Sequence, residues 1–219
     1  MKITSEVFQV GGEGLTSQQD AAVFLIHING QAALIDSGCG FNEEHLLENI
    51  KSLGVPLAQI KLLLLTHCHF DHTGGAESMR RKLDCKIIAH ELDARFLETG
   101  DNEVTAAKWY DASIKPFKVD RKLAGSEEII NVGGSEIQAF HIPGHSPGSV
   151  AYLLESDGQK VLFGQDVHGP LHSSLHSDHS DYVNSLKFLI SLEADILCEG
   201  HFGIIKGKKN IEEFIKSYL

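Results

Sequence analysis

The 219-residue chain is short of several things. It has four cysteines, Cys39, Cys68, Cys85 and Cys198, and no C-x-x-C spacing. Neither a disulfide framework nor a zinc ribbon is encoded, and reduced thiols are expected. No apolar run approaches the ~18 residues that span a bilayer. The opening stretch, MKITSEVFQVGGEG, has no apolar leader core. Both gaps point to a cytoplasmic protein with no membrane partner. Positive charge is scarce: 19 Lys and Arg against 30 Asp and Glu leave a net charge of −11, which weighs against nucleic acid as a partner. No linker rich in Pro, Ser or Gly divides the chain, so residues 1–219 are expected to form one domain, long enough for a core without staples. Histidine, by contrast, is abundant, with 13 residues.

Two apolar runs flank Asn29-Gly30, and SVAYLLES and QKVLFGQD flank Asp157-Gly158. Both dipeptides suit two-residue hairpin turns. Each hairpin runs into an aspartate, Asp36 or Asp166. Apolar spacing predicts helices over 42–54 (Asn42 as N-cap, Gly54 as stop), 74–84, 91–99, 181–195 and the terminal IEEFIKSYL. IKLLLLTH (60–67), KIIAH (86–90) and DILCEGH (195–201) read as strands. Such mixing predicts an α+β chain with two central sheets and helices outside. Residues 100–121, with Trp109 and Tyr110, read either as a cap over a site or as a solvated connection whose aromatics pack on the core.

The chemistry concentrates in THCHFDHTGG, residues 66–75. At a strand end, side chains two apart point the same way, so His67 and His69 face one point while Cys68 and Phe70 face away. Asp71 and His72 follow and address a second point. Burying these groups unpaired would cost several kcal/mol, about 2–7 for each neutral polar group. Further ligand types recur in loops after strand patterns: His145 in HIPGHSPGS, Asp166 in GQD and His201 in CEGHFG. Five histidines and two aspartates suit two metal ions sharing one site.

HCHFDH, PGHSPGS, GQD and EGHFG, in that order, resemble the metallo-β-lactamase superfamily, and its hydrolase branch of glyoxalase II-like enzymes and lactonases. The resemblance runs from Asp36 to His201. It implies an αββα four-layer sandwich of the metallo-β-lactamase type, two central mixed sheets with helices outside, and two divalent ions at one edge. Zinc comes first, with iron or manganese as alternatives. By the match, His67, His69 and His145 hold one ion, Asp71, His72 and His201 the other, and Asp166 bridges them. Asp36 steadies the site. The implied reaction is attack of a metal-bridging hydroxide on a small ester, thioester or lactone carbonyl, with Asp71 moving a proton to the leaving group.

Many lactamases carry Cys where Asp166 stands, so the resemblance points away from β-lactams. After His201 only one helix is expected, without the basic patch of glyoxalase II enzymes. His168 and Gly169 stand where many lactonases place a tyrosine. An alternative on the same fold is a mononuclear-iron persulfide dioxygenase-like oxidoreductase, whose relatives tend to lose the second ligand set. A non-catalytic metal-binding scaffold is a further reading. The resemblance implies that the stretch after Asp166 passes the site, which makes His168 and His172 candidates for the substrate pocket, and the 100–121 segment adds Trp109 and Tyr110. His176 and His179 receive no role. The expected partner is a small-molecule substrate, and the assembly a monomer or homodimer.

Overall fold

The computed structural model describes residues 1–219. Two six-stranded sheets form, each in sequential spatial order. The first contains β1 (Val7–Gly11), β2 (Val23–Ile28), β3 (Gln31–Ile35), β4 (Ile60–Leu64), β5 (Lys86–His90) and β6 (Arg121–Leu123). Its pairing is antiparallel from β1 to β3 and parallel from β3 to β6. The second contains β7 (Glu127–Val132), β8 (Ser135–His141), β9 (Val150–Ser156), β10 (Gln159–Gln165), β11 (Ile196–Glu199) and β12 (Gly203–Lys206), antiparallel except for β10 with β11. Both sheets are therefore mixed. The helices are α1 (Glu43–Ser52), α2 (Phe70–Thr73), α3 (Ala76–Leu83), α4 (Glu91–Thr99), α5 (His179–Ser191) and α6 (Lys208–Lys216).

Strand alternation sorts the side chains into three apolar layers. Phe24, Ile26 and Ile35 of the first sheet meet Ile137, Tyr152 and Phe163 of the second between the sheets. Leu25, Leu34 and Leu63 point the other way, onto Leu46 and Ile50 of α1, Met79 of α3 and Leu97 of α4. Leu153, Leu162 and Leu197 face Leu186 and Leu189 of α5 and Ile211 and Ile215 of α6. The result is the expected αββα sandwich, with helices packed on the outer side of each sheet.

Asn29 (φ 48°) with Gly30 (φ 76°), and Asp157 (φ 53°) with Gly158 (φ 70°), are left-handed at both turn positions, as two-residue hairpins of this twist require. A third hairpin, β7–β8, turns at Gly133-Gly134; neither it nor β1 is predicted by the residue pattern. The helix expected over 74–84 forms as α3, and a separate short helix, α2, precedes it, the two parted where Gly74 and Gly75 lie against the 36–40 loop. A Cβ on Gly75 would sit 2.7 Å from the Ser37 carbonyl. Asn42 precedes α1 but donates to the Thr16 carbonyl rather than capping the helix. α5 starts at His179, where Asp178 accepts from the Asp181 N–H, and ends at Ser191 rather than 195. α6 begins at Lys208, three residues before the expected start. No helix is long and apolar enough to cross a membrane. The four cysteines are buried and free.

Candidate metal centre

The loops that follow β3, β4, β8, β10 and β11 meet at one edge of the sandwich. They bring together His67, His69, Asp71, His72, His145, Asp166 and His201, while Cys68 is buried in the core beneath. His67, His69, His145 and Asp166 form one group, and Asp71, His72, Asp166 and His201 a second, with ligand atoms within 4.8 Å of one another in each. Asp166 stands between them. Its Oδ2 lies 3.5 Å from His145 Nε2 and 4.0 Å from His67 Nε2, and its Oδ1 lies 3.1 Å from His72 Nε2. His201 Nε2 is 3.1 Å from Asp71 Oδ2 and 3.5 Å from Asp166 Oδ2. Donors on a tetrahedral zinc, with bonds of about 2.0–2.1 Å, are separated by roughly 3.3 Å.

The donor set fits a metal by a second criterion. Nε2 of His67, His69, His72 and His145 and Oδ1 of Asp166 are buried without a hydrogen-bond partner. Buried polar atoms are rarely left so. Their other nitrogens are partnered in three cases: His67 Nδ1 with Thr66 Oγ1 at 3.1 Å, His72 Nδ1 with Asp36 Oδ2 at 2.7 Å and His145 Nδ1 with the Pro170 carbonyl at 3.0 Å. Imidazoles oriented through one nitrogen present the other to a common point, the usual arrangement around metals. Burial, reinforced by neighbouring imidazoles, holds His67 well below the ordinary histidine range and His69 at about 3, so both are neutral donors. At His201 burial pulls downward, but Asp166 and Asp71 outweigh it and hold the imidazole at about 10.

Asp36 (φ 61°) accepts from the Thr66 N–H at 2.8 Å and the Thr66 hydroxyl at 2.7 Å as well as from His72, joining the end of β3 to the end of β4. Two further carboxylates organise the site and do not stand out in the sequence. Asp93, fully buried on α4, accepts from Cys68 N–H at 2.8 Å, Ser146 hydroxyl at 2.6 Å and Gly148 N–H at 2.6 Å. It ties the His67–His69 segment to the His145 loop, and burial raises its pKa. Glu199, at the end of β11, accepts from the N–H groups of His201 and Phe202 and from His168. Asp166, His168 and Glu199 also converge, but the Glu199 oxygens are filled by these donors. Gly200 leaves room for the shared carboxylate: a Cβ there would sit 2.2 Å from Asp166 Oδ1.

A cavity of about 260 Å³ opens over both groups, and Trp109, Tyr110, His168 and Leu175 are in its wall. Burial and then Asp71 push the Tyr110 phenol upward. Trp109 is 53% exposed, edge-on to His172 at 5.8 Å. Residues 100–121 thus both wall the cavity and pack on the core. Val104, Ala107, Ile114, Phe117 and Val119 are buried with α4, and the Thr105 carbonyl accepts from Phe70 N–H at 2.7 Å. His172 does not line the cavity; its Nδ1 accepts from the Ser174 N–H at a short 3-10 turn. His176 and His179 are exposed.

Residues 18–201 match the metallo-beta-lactamase superfamily. The acyl-coenzyme A thioesterase MBLAC2 of Homo sapiens is 27% identical, over 97% of this chain and 84% of that protein. The hydroxyacylglutathione hydrolase GloC of Haemophilus influenzae is 29% identical, over 85% of this chain and 88% of its own. Among solved structures, a metallo-beta-lactamase from Cronobacter sakazakii superposes with a TM-score of 0.82 at 20% identity, covering 100% of this chain and 92% of that one. That likeness concerns the fold.

Proposed function

From the premise that this chain belongs to the metallo-beta-lactamase superfamily, whose members here include hydrolases of thioesters, we propose that it is a dinuclear metal-dependent thioesterase. The observation that carries the two-ion reading is Asp166, one carboxylate standing between the two groups, with Oδ2 3.5 Å from His145 Nε2, Oδ1 3.1 Å from His72 Nε2, and the buried Nε2 atoms of His67, His69, His72 and His145 without partners. His67, His69 and His145 would hold one ion, Asp71, His72 and His201 the other, and Asp166 both. Imidazole and carboxylate donors favour zinc, with iron or manganese also compatible. Completeness of the second group argues against the one-iron persulfide oxygenase. A pair of divalent cations bound there supplies a nucleophilic water and polarises the scissile carbonyl.

The chain's own groups do the rest. Asp71, at the cavity floor, has a carboxylate placed to hold a proton and pass it to the departing thiolate. Trp109 and Leu175 exclude bulk water, which strengthens the electrostatics inside. Asp36, through His72, fixes where the second group's imidazole points. A thioester is favoured over a lactone by the two thioester-hydrolysing relatives, similar over most of this chain. The assignment to the cytoplasm and the choice between monomer and homodimer belong to the same proposal.

Metal analysis of purified protein, with turnover measured on acyl thioesters, lactones, phosphodiesters and persulfides, tests it. Two divalent ions per chain and preferred thioester cleavage are expected. One iron per chain, with oxygen consumed alongside a persulfide, would overturn it.

A further inference from the structure

His168 stands out on the cavity wall. It belongs to neither ligand group, and it is locked from behind. Glu199, 0% exposed, accepts from His201 N–H at 2.7 Å and Phe202 N–H at 2.9 Å through Oε2, and from His168 N–H at 3.3 Å and His168 Nδ1 at 2.8 Å through Oε1. Three of these four groups are backbone N–H, which only donate. A carboxylate filled in this way is completed by a fourth donor, so His168 carries its proton on Nδ1. In the neutral ring Nε2 is then a lone-pair acceptor, and it has no partner in the protein. The ring is kept upright by edge contacts with His201 at 5.2 Å and Phe202 at 5.0 Å. Its side chain remains 19% exposed, and it faces the cavity beside Trp109, Leu175 and Pro170, with the two donor groups on the floor. A fixed acceptor on such a wall orients a ligand that brings a donor.

We propose that His168, fixed by Glu199, is the specificity-determining residue of this site, and that its Nε2 accepts a hydrogen bond from an amide N–H two carbons beyond the thioester sulfur. The proposal rests on the thioesterase reading. Thioesters built on an amidoethanethiol unit carry that N–H four bonds from the scissile carbonyl carbon, an extended span of about 5 Å by ordinary bond lengths. His168 and His201 both stand in the cavity wall, with ring centroids 5.2 Å apart, so a ligand of this length can reach from one to the other. With the carbonyl beside His201 and the shared carboxylate, the amide reaches His168. Simple alkyl thioesters offer nothing to Nε2 and leave it desolvated and unpaired.

The test uses full-length, metal-loaded protein and two substrates differing in one group: S-acetyl-N-acetylcysteamine and its N-methylated amide. The wild type should favour the first in kcat/KM by at least about fivefold, the scale of one hydrogen bond, mainly through KM. His168→Ala should bring the ratio close to one, and His168→Gln, which restores an acceptor, should recover part of it. Metal content and melting temperature of both variants confirm that they are folded. Ring nitrogen NMR of the wild type, with the His168 signals identified by their loss in His168→Ala, should show the proton on Nδ1. Equal rates for the two thioesters, a preference surviving in His168→Ala, or a proton on Nε2 would each overturn the assignment while leaving the thioesterase intact. Turnover of neither thioester by the wild type would overturn the thioesterase reading, and this proposal with it.

Discussion

Asp36 makes three hydrogen bonds, and the one to His72 decides where the second group of donors converges. Asp36→Ala should weaken the second ion about 10–100-fold while sparing the first. Titration against a competing chelator separates the two steps, and equal weakening of both would contradict the division of ligands. Protonation draws the same line. Without a cation, His201 keeps its proton up to about 10, because Asp166 and Asp71 prevail over burial. Burial pulls His72 down too, but Asp166, Asp36 and Asp71 hold it well above the ordinary histidine range, so an entering cation must displace protons from both imidazoles and affinity at the second group should rise by more than about tenfold per pH unit above neutral pH. At the first group, His67 and His69 are already neutral, and affinity there should be flat over the same range. Calorimetry across pH, with proton release counted, checks both slopes. The ligand atoms are legible in the sequence because H-x-H-x-D-H compresses four donors into six residues. Asp93 and Glu199 are not. Each is a single acid in an ordinary helix or strand pattern, and its role exists only where a loop distant in sequence brings N–H groups to it.

The turn after β11 brings the backbone at Gly200 against the shared carboxylate. Gly200 has an N–H that donates to the Gln165 carbonyl and a carbonyl that accepts from Ala22 N–H, so it has little freedom to retreat. Gly200→Ala would press a methyl group onto Asp166 and within 3.1 Å of the His72 ring. Overpacking of this kind costs about 1–3 kcal/mol. The expected outcome is one ion per chain instead of two and a fall in turnover of at least about a hundredfold, with a melting temperature lower by only a few degrees. Metal content and kinetics on the same preparation decide it, and two retained ions with ordinary turnover would show that the contact relaxes. Helices with regular apolar spacing and hairpins with strong turn dipeptides are legible in the residues themselves. β1 and the β7–β8 hairpin are not, since β7 and β8 keep an exposed, charged face that dilutes their apolar alternation. The break at Gly74-Gly75 is hidden because it answers to the 36–40 loop and not to neighbours in sequence.

At the scale of the molecule, the donors lie at an edge and the three apolar layers lie elsewhere. Chelation should therefore lower the melting temperature, by the mass action of lost binding, yet leave one cooperative transition and native far-ultraviolet dichroism. Collapse on chelation, as in domains folded by their zinc, would show that the edge holds the sandwich together. The sandwich is legible as two hairpins and alternating elements, but its six-plus-six strand count is not. One more consequence follows from the placement of Trp109. The chain contains one indole, and that indole stands half-exposed at the mouth of the cavity. Its fluorescence is a built-in optical reporter, undiluted by any other tryptophan. A non-hydrolysable thioether analogue entering the cavity should shift the emission to the blue and give a binding isotherm without any label.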